Sequence, residues 1–501
     1  MNMKTMLKLP QLCGAVLLLS CTTSELPPDK VGVTPTSPAI VVTNPNPDNF
    51  SSILPGLYPF ADTDRQFYIK EKTSYTSNMN VNALFSTKMA SPDMGEIVKS
   101  GEKVNMVAIG GGLTAGFRNG GLYRAGQMTA YPNLVARQMG IADFQSPLFS
   151  ENEANGTGYV QLIDDGSKYP TWKEVTSNLA ILKAGGPPEL PKYVGGRLNN
   201  YGIPETGHGF SSRICNDCGI GYNNKTWTNG TVFASRMSPN TVDNSKVSLQ
   251  EQMFKQPVNF FMVEDDFDML IALAKDNSFP SFSTYGYNLV SVNRGTYPID
   301  YKKAMQLNTS ASKGVVFTWP LLPDLAYFNW YDKQELIDKA KSLSISTSRN
   351  GETFIHNRTS NFLLKPTPNV DAIFRNLKKG DDLSISLANN DIIDSQEFNI
   401  NVNFIKQYNE LVRKSAKESN LALVDLEKIY SQIHNNTYNS NSELLISGGL
   451  RGNFFSADGI YPTAIGQAVI ANEVIKSINS TYKSNIPIIN LSDYSKLVGK
   501  E

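Results

Sequence analysis

Cysteine is scarce in this chain. Apart from Cys13 and Cys21 near the start, only Cys215 and Cys218 occur. Their C-x-x-C spacing suits either a local disulfide or half of a metal site. His208 lies nearby, but no further ligand is evident and no second C-x-x-C exists. In an exported chain the disulfide is the better reading. Histidine is scarcer still: His208, His356 and His434 are the three present, and none sits in a recognisable catalytic motif. A surplus of charge is missing as well, with 46 basic and 46 acidic residues. That balance speaks against a nucleic-acid partner, which would want a basic excess. Beyond the first residues there is no apolar run of membrane-spanning length, and no internal repeat.

What is present begins with Lys4 and Lys8, followed by an apolar stretch from Cys13 to Leu19 and then Ser20-Cys21. A basic start, a short apolar core and a small residue at the cut describe a secretory signal, residues 1–20. A cysteine directly after the small residue is the pattern of lipoprotein processing. Cys21 is therefore the expected lipidation site and mature N-terminus. More than one acyl chain on that residue makes anchoring stable. Residues 21–50 are rich in Pro, Thr, Asn and Ser without apolar periodicity, and read as a lipidated flexible tether. Residues 51–501 are then the folded domain.

Within that domain, Val104–Ile109, Val258–Val263, Val315–Trp319 and Leu421–Val424 are short apolar runs that suit buried parallel strands. Helical spacing recurs at Tyr131, Leu134, Val135 and Met139, and again at Phe404, Tyr408, Leu411 and Val412. A last helix is expected after Pro462, with Ile465, Ala468, Ala471, Ile475 and Ile478 on one face. Strands alternating with helices predict a parallel sheet covered on both faces. Segments 141–200, 206–247, 276–312 and 332–395, rich in Gly, Asn, Ser and Pro, are expected as large insertions.

Gly110-Gly111-Gly112-Leu113-Thr114-Ala115-Gly116 follows the first strand, and Asp458-Gly459-Ile460-Tyr461-Pro462-Thr463 precedes the last helix. Together they resemble the SGNH (GDSL-type) hydrolases, and most closely the large lipoprotein branch found in Bacteroidota. The resemblance covers most of residues 103–490. In that family the first block reads G-D-S-L-T-A-G with Ser as nucleophile. The last reads D-G-x-H-P-T, with His as base and the Asp orienting it. Ala130–Leu134 matches the branch's A-Y-P-N-L helix, and Ala468–Ile475 its A-x-x-A-N-E-x-I helix. The resemblance implies a flavodoxin-like, three-layer α/β sandwich around the parallel sheet.

The departures carry the functional expectation. Gly112 stands at the nucleophile position, Gly111 at the Asp before it and Tyr461 at the base position. Aligned to N-x-G-x-P-G, Asn200–Glu205 places Glu205 where the oxyanion-hole glycine belongs. Aligned to G-x-N-D, residues 265–268 place Phe267 at the oxyanion-hole asparagine. Acyl-ester hydrolysis by this design needs a nucleophile, a base and oxyanion donors. Glycine cannot attack, an unperturbed tyrosine titrates near ~10, and phenylalanine donates nothing. Loss of a nucleophile or base alone costs roughly a factor of 10⁶ in well-studied triads. Of the catalytic set only Asp458 survives, and its simpler reading is an acid at a helix start.

Other chemistry is weakly signalled. Gly110-x-Gly112-x-x-Ala115 fits a dinucleotide pattern on paper. That motif needs a helix at once, and Gly116, Gly120, Gly121 and Gly126 argue that no helix begins there. Glu264, Asp265, Asp266 and Asp268 could hold a hard cation, but a solvated strand end is the better reading. No cofactor is expected. Trp319, Tyr327, Phe328, Trp330 and Tyr331 could line a ligand site, or pack as core. The expected protein is a non-catalytic, lipid-anchored subunit at the outer membrane, exposed at the cell surface. Its expected partners are a β-barrel protein and other lipoproteins, by analogy with relatives. The alternative is a glycan- or acyl-binding lipoprotein that uses the degenerate cleft; a divergent esterase ranks below both.

Overall fold

In the computed structural model, the four apolar runs become strands of one five-stranded parallel sheet, whose remaining edge strand was not expected. Its strands are β1 (Met106–Gly110), β2 (Asn200–Gly202), β3 (Phe260–Val263), β4 (Lys313–Phe317) and β5 (Ala422–Val424). The spatial order is β2-β1-β3-β4-β5, and every neighbouring pair is parallel. This is the doubly wound order known from flavodoxin-like sheets, in which the direction of winding reverses between β1 and β3. The structure describes residues 67–74, 89–180, 190–204, 257–276 and 313–499, apart from isolated positions, together with Met79, Val81, Phe233, Ala234, Arg236, Met237 and Met253. Cys21, Glu205, His208, Cys215, Cys218, the signal, the tether and most of segments 206–247 and 276–312 lie outside the described residues.

All residues of β1 and β3 are buried, so the sheet needs cover on both faces. Helices supply it. They are α1 (Gly112–Ala115), α2 (Tyr131–Gln138), α3 (Met269–Asp276), α4 (Ser395–Ser419), α5 (Leu426–His434), α6 (Ala464–Tyr482) and α7 (Leu491–Val498). Helix α6 packs on α2, β4 and β5, while α4 packs on β4 and β5. Helix α4 has a well-made start: Asp394 accepts from Gln396 N and Glu397 N, and Glu397 accepts from Asp394 N. Asn420, in the left-handed conformation, ends it. Among the described residues no helix is long and apolar enough to cross a membrane.

Some expected boundaries move. The fourth strand ends at Phe317 rather than Trp319. Trp319 leaves the ladder, stacks on Tyr408 at 4.2 Å and gives its backbone N–H to Asn409. Segment 332–395, expected as a large insertion, has regular structure of its own. It folds into two helices (Lys333–Lys339 and Pro368–Asn376), a three-stranded sheet ordered Asp382–Leu387, Ser342–Arg349, Glu352–His356, and a short strand pair. Within segment 141–200, strands Tyr159–Leu162 and Trp172–Val175 join Ile69–Thr73 in another small sheet. The C-terminal residues pack on the body: Leu491, Tyr494 and Val498 are buried, and Asn472 bonds to Ile489 at both its oxygen and its nitrogen.

His356 pins the small 342–387 sheet to α4. Its Nδ1 lies 3.0 Å from Ser395 Oγ and its Nε2 lies 3.4 Å from Thr347 Oγ1. Burial holds the ring below the usual histidine range; nearby Asp394 opposes that and Lys333 adds to it. A depressed folded value means that the native state binds fewer protons, so this contribution to stability is full above pH ~6.5 and lost as pH falls through the folded value. Chemical denaturation across pH 7 to 5 is expected to show stability falling with acid, with a shallower fall in His356→Gln. Equal slopes in the two proteins would remove His356 as the cause.

Candidate functional site

The segments expected to form the site converge at the carboxyl ends of β1 and β3, where the sheet order reverses. Open α/β sheets hold ligands in that crevice. Here the crevice is full. Gly110-Gly111-Gly112 turns from β1 into α1 and presents backbone N–H groups without side chains. Glu264 and Asp268, just past β3, take them. Gly111 N donates to Glu264 Oε2 at 2.7 Å. Gly112 N donates to both oxygens of Asp268, at 2.8 and 2.9 Å. Glu264 also accepts from Thr114 Oγ1 and Phe267 N.

Tyr461 closes the arrangement. Its phenol donates to Asp268 Oδ1 at 2.6 Å. A Cβ built on Gly112 would lie 2.7 Å from that phenol oxygen, and one on Gly111 would lie 2.6 Å from the Asp268 carboxyl carbon. Both distances are closer than carbon is tolerated there. Glycine at positions 111 and 112 is thus required by the groups packed against it. Phe117 and Phe267 flank the Tyr461 ring, with centroids at 5.3 and 5.5 Å. Tyr461, Phe267 and Asp268 are each at most 1 % exposed. Burial, then the Asp268 carboxylate, pushes the phenol far above the ordinary tyrosine range. Tyr461 therefore donates a hydrogen bond and does not serve as a base.

Asp458 does not start the last helix. Thr463 caps it, accepting from Gly466 N. Asp458 is buried and accepts from Ile460 N and Tyr461 N, and from Gly120 N across the gap to the first loop. Burial raises its carboxyl and these N–H groups lower it. Asn119 strengthens the same junction: its N–H reaches Ser456 Oγ, and its side-chain oxygen accepts from Ala457 N. For Glu264, Asp265 and Asp268 the expected solvated strand end is overturned, since they are 1 %, 4 % and 1 % exposed; Asp266 lies outside the described residues. Asp265 accepts from Tyr408 Oη and its carbonyl accepts from Trp319 Nε1. Nor is the glycine turn free of helix. One turn, α1, begins at Gly112 and is closed by Gly116 at φ 81°.

Gly202 sits against α1, as a Cβ there would lie 2.3 Å from Ala115 N, and Asn200 Nδ2 holds Thr114 O. The aromatic residues Trp319, Tyr327, Phe328, Trp330 and Tyr331 are core rather than site, all at or below 6 % exposure. Sequence reasoning named Gly112 and Tyr461 but missed the role of Glu264 and Asp268. The available signal was a run of side-chain-free N–H donors facing carboxylates at the next strand's end. Among the described residues, no group of three or more His, Cys, Asp or Glu is placed to hold a metal ion. Beside the filled crevice lies a groove of about 540 Å³, lined by Tyr123, Tyr159, Gln161, Arg451 and Ser456 among others. No family model matches the chain, and no curated protein or solved structure does so either.

Crowding at Gly112 makes a direct test. Gly112→Ala is expected to destabilise by about 1–3 kcal/mol through overpacking. With Tyr461→Ala already in place, the same change should cost far less, giving a coupling of about 0.5–3 kcal/mol. Urea unfolding of the wild type, both single variants and the double variant measures it; strict additivity would show that the two residues do not touch.

Proposed function

We propose that this chain is a catalytically inert SGNH-type α/β domain, carried on a lipid anchor at Cys21, that serves as a scaffold or accessory subunit of an outer-membrane protein complex. One observation carries the reading: at the position of the family's nucleophile there is a glycine, and the space above it is held by Tyr461 and Asp268. Asp268 takes the Gly112 N–H, a donor that the hydrolytic design reserves for the oxyanion. A carboxylate there opposes negative charge developing on a substrate. Hydrolysis would need a nucleophile, a base, a free donor and space, and the described residues offer none of these at this place.

The intact sheet and helices around the filled crevice support a retained scaffold. The signal-like start and Cys21 support the anchor, and the family likeness suggests the barrel and lipoprotein partners. A second reading, a lipoprotein that binds a glycan or an acyl chain, finds its support in the groove beside the crevice, whose size falls in the small-molecule range.

Pull-down of the tagged full chain from its native membrane in mild detergent tests the proposal. Co-purification of a barrel protein and companion lipoproteins in fixed ratio is expected. Recovery of the chain alone would contradict the scaffold role and move attention to the groove. Restoring Ser and His together (Gly112→Ser with Tyr461→His) should give no ester hydrolysis above background, because Asp268 still occupies the oxyanion donor. Appreciable turnover by that variant would show that the crevice was blocked only by the two side chains.

A further inference from the structure

The small sheet in segment 332–395 ends on one side with strand Asp382–Leu387. Its inner neighbour is Ser342–Arg349, paired in parallel from Asp382↔Ser342 to Leu387↔Thr347. Among the described residues no strand pairs with its outer edge. Exposed edges are usually blunted by lysine, proline or a bulge. Residues 383–387 have none of these. The side chains alternate instead: Ser384 and Ser386 face solvent, while Leu383 and Ile385 are left half-buried on the inner row and Leu387 is buried. A further strand alongside would cover Leu383 and Ile385 and satisfy the open backbone groups.

The segment Leu383-Ser384-Ile385-Ser386-Leu387 reads the same in both directions. In an antiparallel pair, directly opposed residues point to the same side of the sheet. A two-fold axis through Ile385 then sets Ser384 of one copy against Ser386 of the other on the outer side. On the inner side it sets Leu383 against Leu387 and Ile385 against itself. Asp382 meets Ala388, so no like charges are opposed. We propose that this edge pairs with the same edge of a second copy of the chain, joining two three-stranded sheets into one of six strands. The contact is isologous, as closed two-fold dimers require. It does not depend on the reading of the filled crevice.

A pair of strands this short covers less than the roughly 1,200–2,000 Å² of stable interfaces. The dimer is therefore weak in solution, and it strengthens where copies are held at high local concentration.

Sedimentation equilibrium of the full chain in mild detergent, over a wide concentration range, tests the proposal. Reversible dimerisation is expected. Ser384→Lys with Ser386→Lys sets lysine against lysine twice across the axis and should weaken the dimer by about tenfold or more. Ser384→Lys with Ser386→Glu sets lysine against glutamate twice and should keep it. Both positions face solvent, so unchanged thermal unfolding of dilute samples verifies that the variants fold. Amide exchange across 383–387 should slow as protein concentration rises. A monomer at every concentration, an unaffected double-lysine variant or a lysine–glutamate variant as weak as the double-lysine one would each overturn the proposal. So would protection that is already complete in the most dilute sample, which would mean that another segment of the same chain fills the edge.

Discussion

The hydrogen bonds from Tyr461 and the Gly112 N–H to the Asp268 carboxylate govern what this crevice can be. A carboxylate taken out of water must be met by donors, or it becomes very costly. Asp268 finds them in a backbone turn stripped of side chains and in a phenol from the loop before the last helix. The match works only with glycine at 111 and 112, since any Cβ would strike the carboxylate or the phenol. Glycine, carboxylate and tyrosine are thus one physical unit, and changing any of them strands another. Glu264 repeats the solution one residue earlier, on Gly111 N. Asp458 repeats it on the far side, where it ties the first loop to the last.

The same unit links chemistry to architecture. The turn after β1, the end of β3 and the loop before α6 meet at the reversal point of the sheet, where an α/β protein ordinarily keeps its ligand. Here they are bonded to each other, and aromatic rings fill the remaining space. The glycine turn, the carboxylates and Tyr461 hold separate parts of the domain together there.

Much of the frame was legible in the sequence. Runs such as Met106–Gly110 and Phe260–Val263 are apolar throughout and short, which suits a strand covered on both faces. The last helix was legible from its spacing and from Pro462. The ending of β4 was not, because Trp319 belongs to the same apolar run but is claimed by Tyr408 and Asn409, far away in the chain. Segment 332–395 read as an insertion for its Asn and Ser, with no element named inside it. Its signal was alternation: Leu343 and Ile345 lie inward between Ser342, Ser344 and Ser346, the period of a half-buried strand. The meeting of Gly112 with Tyr461 could be expected from their flanking residues. The buried carboxylates were marked only by the glycine run at 110–112, which offers N–H donors without naming the side chains that take them.

The most direct measurement is labelling of the folded, full-length chain with a fluorophosphonate that reacts with activated serines, followed by intact-mass analysis. A crevice filled by Tyr461 and Asp268 predicts no added mass beyond that of a heat-unfolded control. Stoichiometric labelling of the folded protein alone would show an activated nucleophile and contradict the account of an inert site.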